Sequence, residues 1–410
     1  MDRKVSTAYL KIGMYVTKLD RPWVQTPFLI QGFFIKDEIE ICSIAKYCDF
    51  VYIDTELGVR ADKYFDNAQS IHTKQTLSAN TQAESILDTG KKTIAYVDKT
   101  TTVEELPEAK IALEKASECV ARIVEQDLRN GHLNVDTVKS AVAPILDSMI
   151  RNSDAFMWLS KMRQHDSNIY ESSVQNCALG IAFGRHMGLN KLSLNTLAIG
   201  LLLMDIGKIK LPKELLAKKT PLTPDEVVVM RKHVNFTVEI LKNTKGINEH
   251  IINIALTHHE RYDGSGYPNG LVGVQTPAYG RMAAIIDCYD AMITNTPYRK
   301  AIAEHKALQN IYNLRGKAFQ TELVEQFMQC MGVYPTGSLV ELSSGAVGAI
   351  LSQNAQQKLK PKVILLLDEN KKAYKKRQVL DLTKQGQMSL HIAKSLENHT
   401  YGVDVKKIGL

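Results

Sequence analysis

Hydrophobic positions along the chain recur with two different periods, and the changes of period divide it. In the first stretch, "GMYVTKLD" and "FVYIDTEL" carry alternating or continuous β-branched and aromatic residues, which predicts two strands. Between them, "KDEIEICSIAKYC" spaces Ile39, Ile41, Ile44 and Ala45 as one side of a helix. Residues 1–62 are therefore expected to form a small β-rich α+β domain. From Arg60 to Thr101 the chain turns polar and poor in aromatics, as a linker or a loosely held helix would. Helical spacing returns from Glu104 to Ile150, with Ile111, Leu113, Ala116, Val120 and Ile123 recurring turn by turn. Gly131 interrupts it, and residues 63–150 read as a polar linker followed by a helical segment.

Residues 151–335 repeat the helical period element after element. Thr223 can cap, Pro224 suits a first turn, and Glu226 completes a T-x-x-E capping box. "INEHIINIALTHHE" predicts the next helix, stopped by the Asp263-Gly264 turn signal, and "GRMAAIIDCYDAMITN" a third, with Pro297 beyond its end. After "VYPTGSLVEL" the period shortens again, and "GAVGAILSQ" and "PKVILLLD" predict strands. Residues 336–410 are expected to be a C-terminal β-rich extension. The fold class that results is mainly α, with a small α+β domain at the N-terminus and a β-rich appendage at the C-terminus.

Composition narrows this picture modestly. The 410 residues are 44% hydrophobic and 23% charged, as in an ordinary globular protein. No apolar run reaches the roughly 20 residues of a membrane span, and the start lacks a signal-peptide core. The six cysteines form no C-x-x-C pair, which favours reduced thiols and a cytoplasmic location. Much of the net charge of +7 lies in the run "ENKKAYKKRQ", read as a solvated hairpin, so nucleic-acid binding is not implied.

Candidate chemistry sits in the helical block. Asp205 interrupts "LAIGLLLMDIG" and Asp287 interrupts "MAAIIDCYDAM". A carboxylate on an apolar helix face is costly to bury alone, so a cation or a metal is the expected partner. His233, His258 and His259 also lie on or at the ends of apolar helices. Imidazole and carboxylate together suit iron, manganese or zinc, and a bridging carboxylate can hold two ions roughly 3.5–4 Å apart. Taken singly, a histidine on a helix is more often an ordinary core or surface residue than a ligand. His186 and His250 are read that way, and Asp290 as a neighbour of the ligands or a helix-surface acid.

The stretch "HHERYDGSGYPNGL", together with "MDIGKIKLP", "LTPDEVVVMRKHVNF" and "GRMAAIIDCYDAMITNTPYR", resembles the HD-GYP family, a branch of the HD superfamily of metal-dependent phosphohydrolases. "LKIGMYVTKLDRPWVQTPFLIQGFFI" is similar to the small domain of unknown function that often precedes such modules in bacteria. The resemblance implies an HD-type helical bundle, a two- or three-metal centre of iron or manganese, and hydrolysis of cyclic di-GMP to pGpG or GMP. It also implies that some members dock onto GGDEF-domain proteins through the GYP loop; a homodimer stays open. Carried over by position, it assigns Asp205, His233, His258, His259 and Asp287 to metal, and Asp205 and Lys208 to catalysis, the lysine near the scissile phosphate. Gly266, Tyr267, Pro268 and Arg299 fall to the substrate.

Four positions depart from the family pattern. Met204 replaces the histidine of the HD pair, Ser172 an earlier histidine, Asn168 the glutamate of three-metal members, and Thr296 an arginine expected at the substrate phosphate. Met204 and Ser172 would both serve the same ion, and a thioether or hydroxyl is a poor substitute for imidazole. The expectation is one ion rather than two or three. The site is then degenerate, weakly catalytic or non-catalytic, and the chain acts as a cyclic di-GMP receptor or docking module. The alternative is an active cyclic di-GMP phosphodiesterase. A one-metal hydrolase of a simpler phosphomonoester or nucleotide is a third reading.

Overall fold

A computed structural model describes residues 2–20, 33–35, 38–54, 94–127, 133–162, 169–295, 299–354, 357–384, 390–405 and 408. The chain divides into two compact units, one holding the N-terminal sheet with its helix and the other the remaining helices with the C-terminal sheet.

In the first unit, strands β1 (Asp2–Ser6), β2 (Tyr15–Leu19), β3 (Phe33–Phe34) and β4 (Phe50–Asp54) form an antiparallel sheet in the order β1-β4-β2-β3. Helix α1 (Glu38–Tyr47) joins β3 to β4. The alternation read from the sequence is visible in β4, where Val51 and Ile53 are buried between less buried neighbours. On α1 the inward stripe is Ile41, Ile44 and the following Cys48, spaced i, i+3, i+7. Ala45, expected on that side, is exposed because it falls off the stripe, and the side chain of Ile39 lies outside the described residues.

The second unit begins with α2 (Thr102–Arg122), whose capping box pairs Thr101 with Glu104, and α3 (Val135–Arg151). The buried stripe of α2 is Ala109, Ala112, Leu113, Ala116, Cys119 and Val120. Ile111, expected on the buried face, is instead 59% exposed, because that stripe turns it to the opposite side. Buried Glu105 ties α2 to α3, accepting hydrogen bonds from Ser148 Oγ (2.8 Å) and Arg151 Nη2 (2.7 Å). The break expected at Gly131 lies outside the described residues.

Then follow α4 (Ser153–Met162), α5 (Ile169–His186), α6 (Lys191–Leu203), the one-turn α7 (Lys213–Leu216), α8 (Pro224–Lys242), α9 (Glu249–Thr257), α10 (Ala278–Ile293), α11 (Glu304–Asn313) and α12 (Thr321–Met331). The Thr223–Glu226 capping box opens α8, with Pro224 in its first turn. Lys191–Lys210 is long and apolar enough by composition to cross a bilayer, yet 72% of its apolar window is buried against neighbouring elements, as in a core helix.

The C-terminal sheet contains β5 (Leu339–Leu342), β6 (Val347–Ser352), β7 (Lys362–Leu367), β8 (Ala373–Asp381) and β9 (Ile392–Leu396), antiparallel in the order β8-β7-β6-β5-β9. Both faces are covered: Val347, Ala349 and Leu351 pack with Trp158 of α4, while Ala346 and Ile350 pack with Leu382 and Ile392. Hence β6 is buried along its whole length and reads as a continuous apolar run. The basic run forms the turn into β8 and the exposed edge strand itself, where lysines discourage pairing with another sheet.

Candidate metal centre

Asp205 stands where α6 gives way to a 3₁₀ turn, Ile206–Lys210. That turn presses against α8 with no room for a side chain at Gly207. A Cβ there would lie 2.2 Å from the His233 carbonyl oxygen and 2.5 Å from Thr237 N. The Gly207 N–H donates to Thr237 Oγ1 at 2.9 Å. The close approach sets the Asp205 carboxylate beside His233, while α9 delivers His258 as its C-cap and His259 directly after it.

The four side chains converge, each offering a ligand atom within 4.8 Å of the others. Asp205 Oδ1 is 3.3 Å from His233 Nε2 and 3.8 Å from His258 Nε2, and His259 Nε2 is 3.2 Å from His233 Nε2. Two of the rings are oriented by their own helices. His233 Nδ1 contacts the Met230 carbonyl at 2.7 Å and His258 Nδ1 the Ala255 carbonyl at 2.8 Å. A carbonyl only accepts, so each Nδ1 carries the proton and each Nε2 turns a lone pair toward Asp205. Lone pairs facing a carboxylate repel unless a cation stands among them. Asp205 Oδ1 and His258 Nε2 are indeed buried with no hydrogen-bond partner. This donor set, with its outer nitrogens held by backbone carbonyls, fits a divalent ion. Among the described residues it is the cluster of His, Cys, Asp or Glu that could hold one.

Electrostatics agree with the geometry. Burial would raise the Asp205 carboxyl, but the Lys208 ammonium, 2.8 Å from Oδ2, holds it well below its usual range. Burial, with His258 alongside, keeps His259 neutral by lowering its pKa well below the ordinary value. Asp287 lies at the margin, its Oδ2 3.5 Å from His259 Nδ1, and burial and the neighbouring Asp205 charge raise it.

Beyond Asp287 the environment changes. Asp290, one turn further along α10, is buried rather than on the helix surface, and burial followed by the Asp287 charge pushes its carboxyl up to about 7. Ser172 on α5 donates a hydrogen bond to it. Met204 is fully buried at the end of α6. Asn168 and Thr296 lie outside the described residues. Arg299 is exposed and donates to the Ala291 carbonyl.

The glycine-rich loop is bound to the centre by a residue with no role assigned from the sequence. Glu260, buried directly after the histidine pair, accepts the N–H groups of Asn269 (2.8 Å) and Leu271 (3.1 Å). Gly266 passes so near that a Cβ would lie 2.3 Å from Arg261 N. The loop thereby stacks Tyr267 on the His259 ring, with centroids 4.6 Å apart and planes 25° from parallel, while Arg231 covers the tyrosine ring at 4.6 Å. Burial and Asp287 raise the Tyr267 hydroxyl, so it stays protonated. Pro268 is exposed. His186 contacts Gln326 Oε1 at 3.1 Å and His250 packs edge-on against Tyr279; neither joins the centre.

Three family models match along the chain. A domain of unknown function (DUF3391) matches residues 2–136, an HD domain residues 153–323, and a KOW domain associated with HD domain residues 339–402. A protein of Pseudomonas aeruginosa named a cyclic di-GMP phosphodiesterase is 28% identical over 94% of this chain and 90% of its own length. A cyclic di-GMP phosphodiesterase of Thermotoga maritima is 38% identical over 35% of this chain and 39% of its own. The cyclic di-GMP phosphodiesterase response regulator RpfG of Xanthomonas campestris is 36% identical over 37% of this chain and 42% of its own. Imidazoles and a carboxylate gathered by the helices of an HD domain, and a GYP loop stacked on one of those imidazoles, agree with these relatives: the chain contains an HD domain and has cyclic di-GMP phosphodiesterase homologues of the HD-GYP kind.

Proposed function

We propose that this chain binds cyclic di-GMP at a one-ion centre and cleaves it slowly or not at all, acting as a receptor or docking module in the cell interior. The observation that carries the reading is the asymmetry around Asp205. Four donors converge on one side. On the other, Ser172 is engaged with Asp290, and Met204 offers a soft thioether. Asp205, His233, His258 and His259 would hold the ion, with Asp287 beside them; iron or manganese suits the donor set. When bound, such an ion supplies Lewis-acid polarisation of a phosphoryl oxygen and activation of water. Lys208 keeps an ammonium against Asp205 and is the side chain placed to meet phosphate charge there. Glu260 and Gly266 hold the loop so that Tyr267 covers His259 and limits solvent at the centre. The loop tip, with Pro268 exposed, would be the docking surface for a GGDEF-domain protein, and Arg299 a further phosphate contact. An in-line displacement assisted by two ions needs one at the attacking and one at the leaving oxygen; losing one removes transition-state stabilisation at about tenfold in rate per 1.4 kcal/mol.

The test is turnover by the full chain reconstituted anaerobically with iron or with manganese, alongside Asp205→Ala and a metal analysis. Binding of cyclic di-GMP with one ion per chain and product no higher than the variant's supports the receptor reading. Linear pGpG or GMP well above that background overturns it in favour of an active phosphodiesterase. That second reading is favoured by the name of the relative that shares nearly the whole chain.

A further inference from the structure

The hairpin of α2 and α3 lines an open groove of about 540 Å³ with one stripe from each helix. From α2 come Glu108, Ile111, Ala112 and Lys115, and from α3 Ser140, Ala143, Pro144 and Asp147, both spaced i, i+3, i+4, i+7. The middle of each stripe is apolar or small. Ile111 stands 59% exposed at the rim, and the buried Ala112 lies beside it. A neighbouring hollow of about 330 Å³ shares Ala143 and Asp147 with the groove and adds Leu192 of α6, which is 75% exposed. A single exposed aliphatic residue is ordinary; two on one continuous hollow mark a surface suited to a partner.

Charge divides the groove along its length. The helices run antiparallel, since Glu105 near the start of α2 meets Ser148 and Arg151 at the end of α3. Glu108 and Asp147 both act electrostatically on Arg151, so they share that end. Lys115, two turns further along α2, and Lys139, near the start of α3, share the other. Asp147 is engaged with Lys191 Nζ at 2.7 Å, and Lys139 reaches Asp136 at 3.9 Å. Glu108 and Lys115 are exposed and in no hydrogen bond or ion pair among the described residues.

A surface acidic at one end and basic at the other matches its own copy turned end over end. A two-fold axis across the helices does this: α2 meets α2 of the second copy antiparallel, and Glu108 of each lies over Lys115 of the other. The midpoint between positions 108 and 115 falls between Ile111 and Ala112, so the same operation sets each isoleucine over the other copy's small alanine. An axis along the helices would instead set acid on acid and base on base. The face of the hairpin is about 30 Å long and about 20 Å wide, or about 600 Å² per copy, at the lower end of specific interfaces.

We propose that the α2–α3 hairpin is a self-association surface, on which two copies of this chain pair antiparallel about a two-fold axis with Ile111 over Ala112 and Glu108 opposite Lys115. The proposal does not depend on whether cyclic di-GMP is bound or cleaved.

Sedimentation equilibrium of the full chain between about 1 and about 100 µM tests it, since an interface of this size is populated in that range. The expected result is a monomer–dimer equilibrium. Glu108→Lys and Lys115→Glu are each expected to weaken the dimer at least about tenfold, because the two-fold makes every substitution count twice. Mixed in equal amounts, the two single variants should associate again, as every facing pair is then of opposite sign. The double variant Glu108→Lys with Lys115→Glu should do so alone. Ile111→Ser should weaken the wild-type dimer about tenfold. A chain that stays monomeric at about 100 µM, a dimer indifferent to both charge reversals or to Ile111→Ser, or single variants that stay apart on mixing overturns the proposal. Circular dichroism checks that each variant folds, and should one single variant fail, the other and the double variant decide.

Discussion

The two sides of Asp205 face the same problem, buried charge, and meet it differently. On the histidine side, helix carbonyls take the Nδ1 protons of His233 and His258, so bare nitrogens and a carboxylate point inward together. Such an arrangement is stable only around a cation. On the α5–α10 side, Asp287 and Asp290 are both pushed up by burial and by neighbouring carboxylate charge, and the Ser172 hydroxyl donates to Asp290. The difference teaches that buried acids need no imidazole beside them. A hydrogen bond from Ser172 and a raised carboxyl pKa can settle Asp290.

The largest expected effect comes from breaking the first side. Asp205→Ala should lower metal affinity by more than about 100-fold, since even outer-shell changes cost about 10–100-fold. It should also abolish the rise in melting temperature on adding manganese. Titration followed by calorimetric melting checks both, and unchanged metal-dependent stabilisation would show that the ion is held elsewhere. Next in size is the attempt to make the sides alike. Ser172→His with Met204→His should raise bound metal from one ion per chain to two, measured by elemental analysis. A double variant that folds and still binds one would remove the assignment of these positions to a second ion.

Much of this molecule was legible before its structure, for identifiable reasons. The capping box at Thr223 and the continuous apolar run of β6 are local signals, and local signals survive folding. The helical stripes were legible only in part. Ala45 and Ile111 are apolar residues one position away from the faces that pack, and only the partner elements decide which face is inward. The side chains gathered around Asp205 stand out on apolar helices, but only the resemblance assigns them to one centre, because spacing alone does not show which helix ends meet. Glu260 carried no signal at all: its partners are backbone N–H groups nine and eleven residues away. Asp290 reads as a ligand neighbour or a surface acid, and only the packing of α5 against α10 buries it.

Glu260 offers a smaller test, of whether the loop is fixed independently of the ion. Replacing it with alanine leaves two loop N–H groups without their acceptor, at a cost of about 1–3 kcal/mol each if they stay buried. Hydrogen exchange at Asn269 and Leu271 should quicken by at least about tenfold, while metal binding falls less than in Asp205→Ala. Exchange rates equal to wild type would mean the loop is held by something other than this carboxylate.

The smallest effect lies far from the centre, and it sharpens the comparison by showing one of its devices in isolation. Asp154 of α4 joins the helices to the C-terminal sheet, accepting from Thr336 Oγ1 (2.7 Å) and from Gln353 N (2.9 Å). Burial outweighs these hydrogen bonds and pushes its carboxyl up to about 6. An unfolded aspartate titrates near 3.9, so between about pH 4 and pH 6 the folded state binds the extra proton. The contribution of Asp154 is therefore greatest below the unfolded value, declines as pH rises through that window, and is flat above it. Asp154→Asn cannot titrate, so the difference in urea-unfolding free energy between wild type and variant should fall from pH 4 to pH 6 and then level off. A difference independent of pH would show that the carboxyl is not raised, and that burial beside hydrogen-bond donors is insufficient to hold a proton on an acid in this fold.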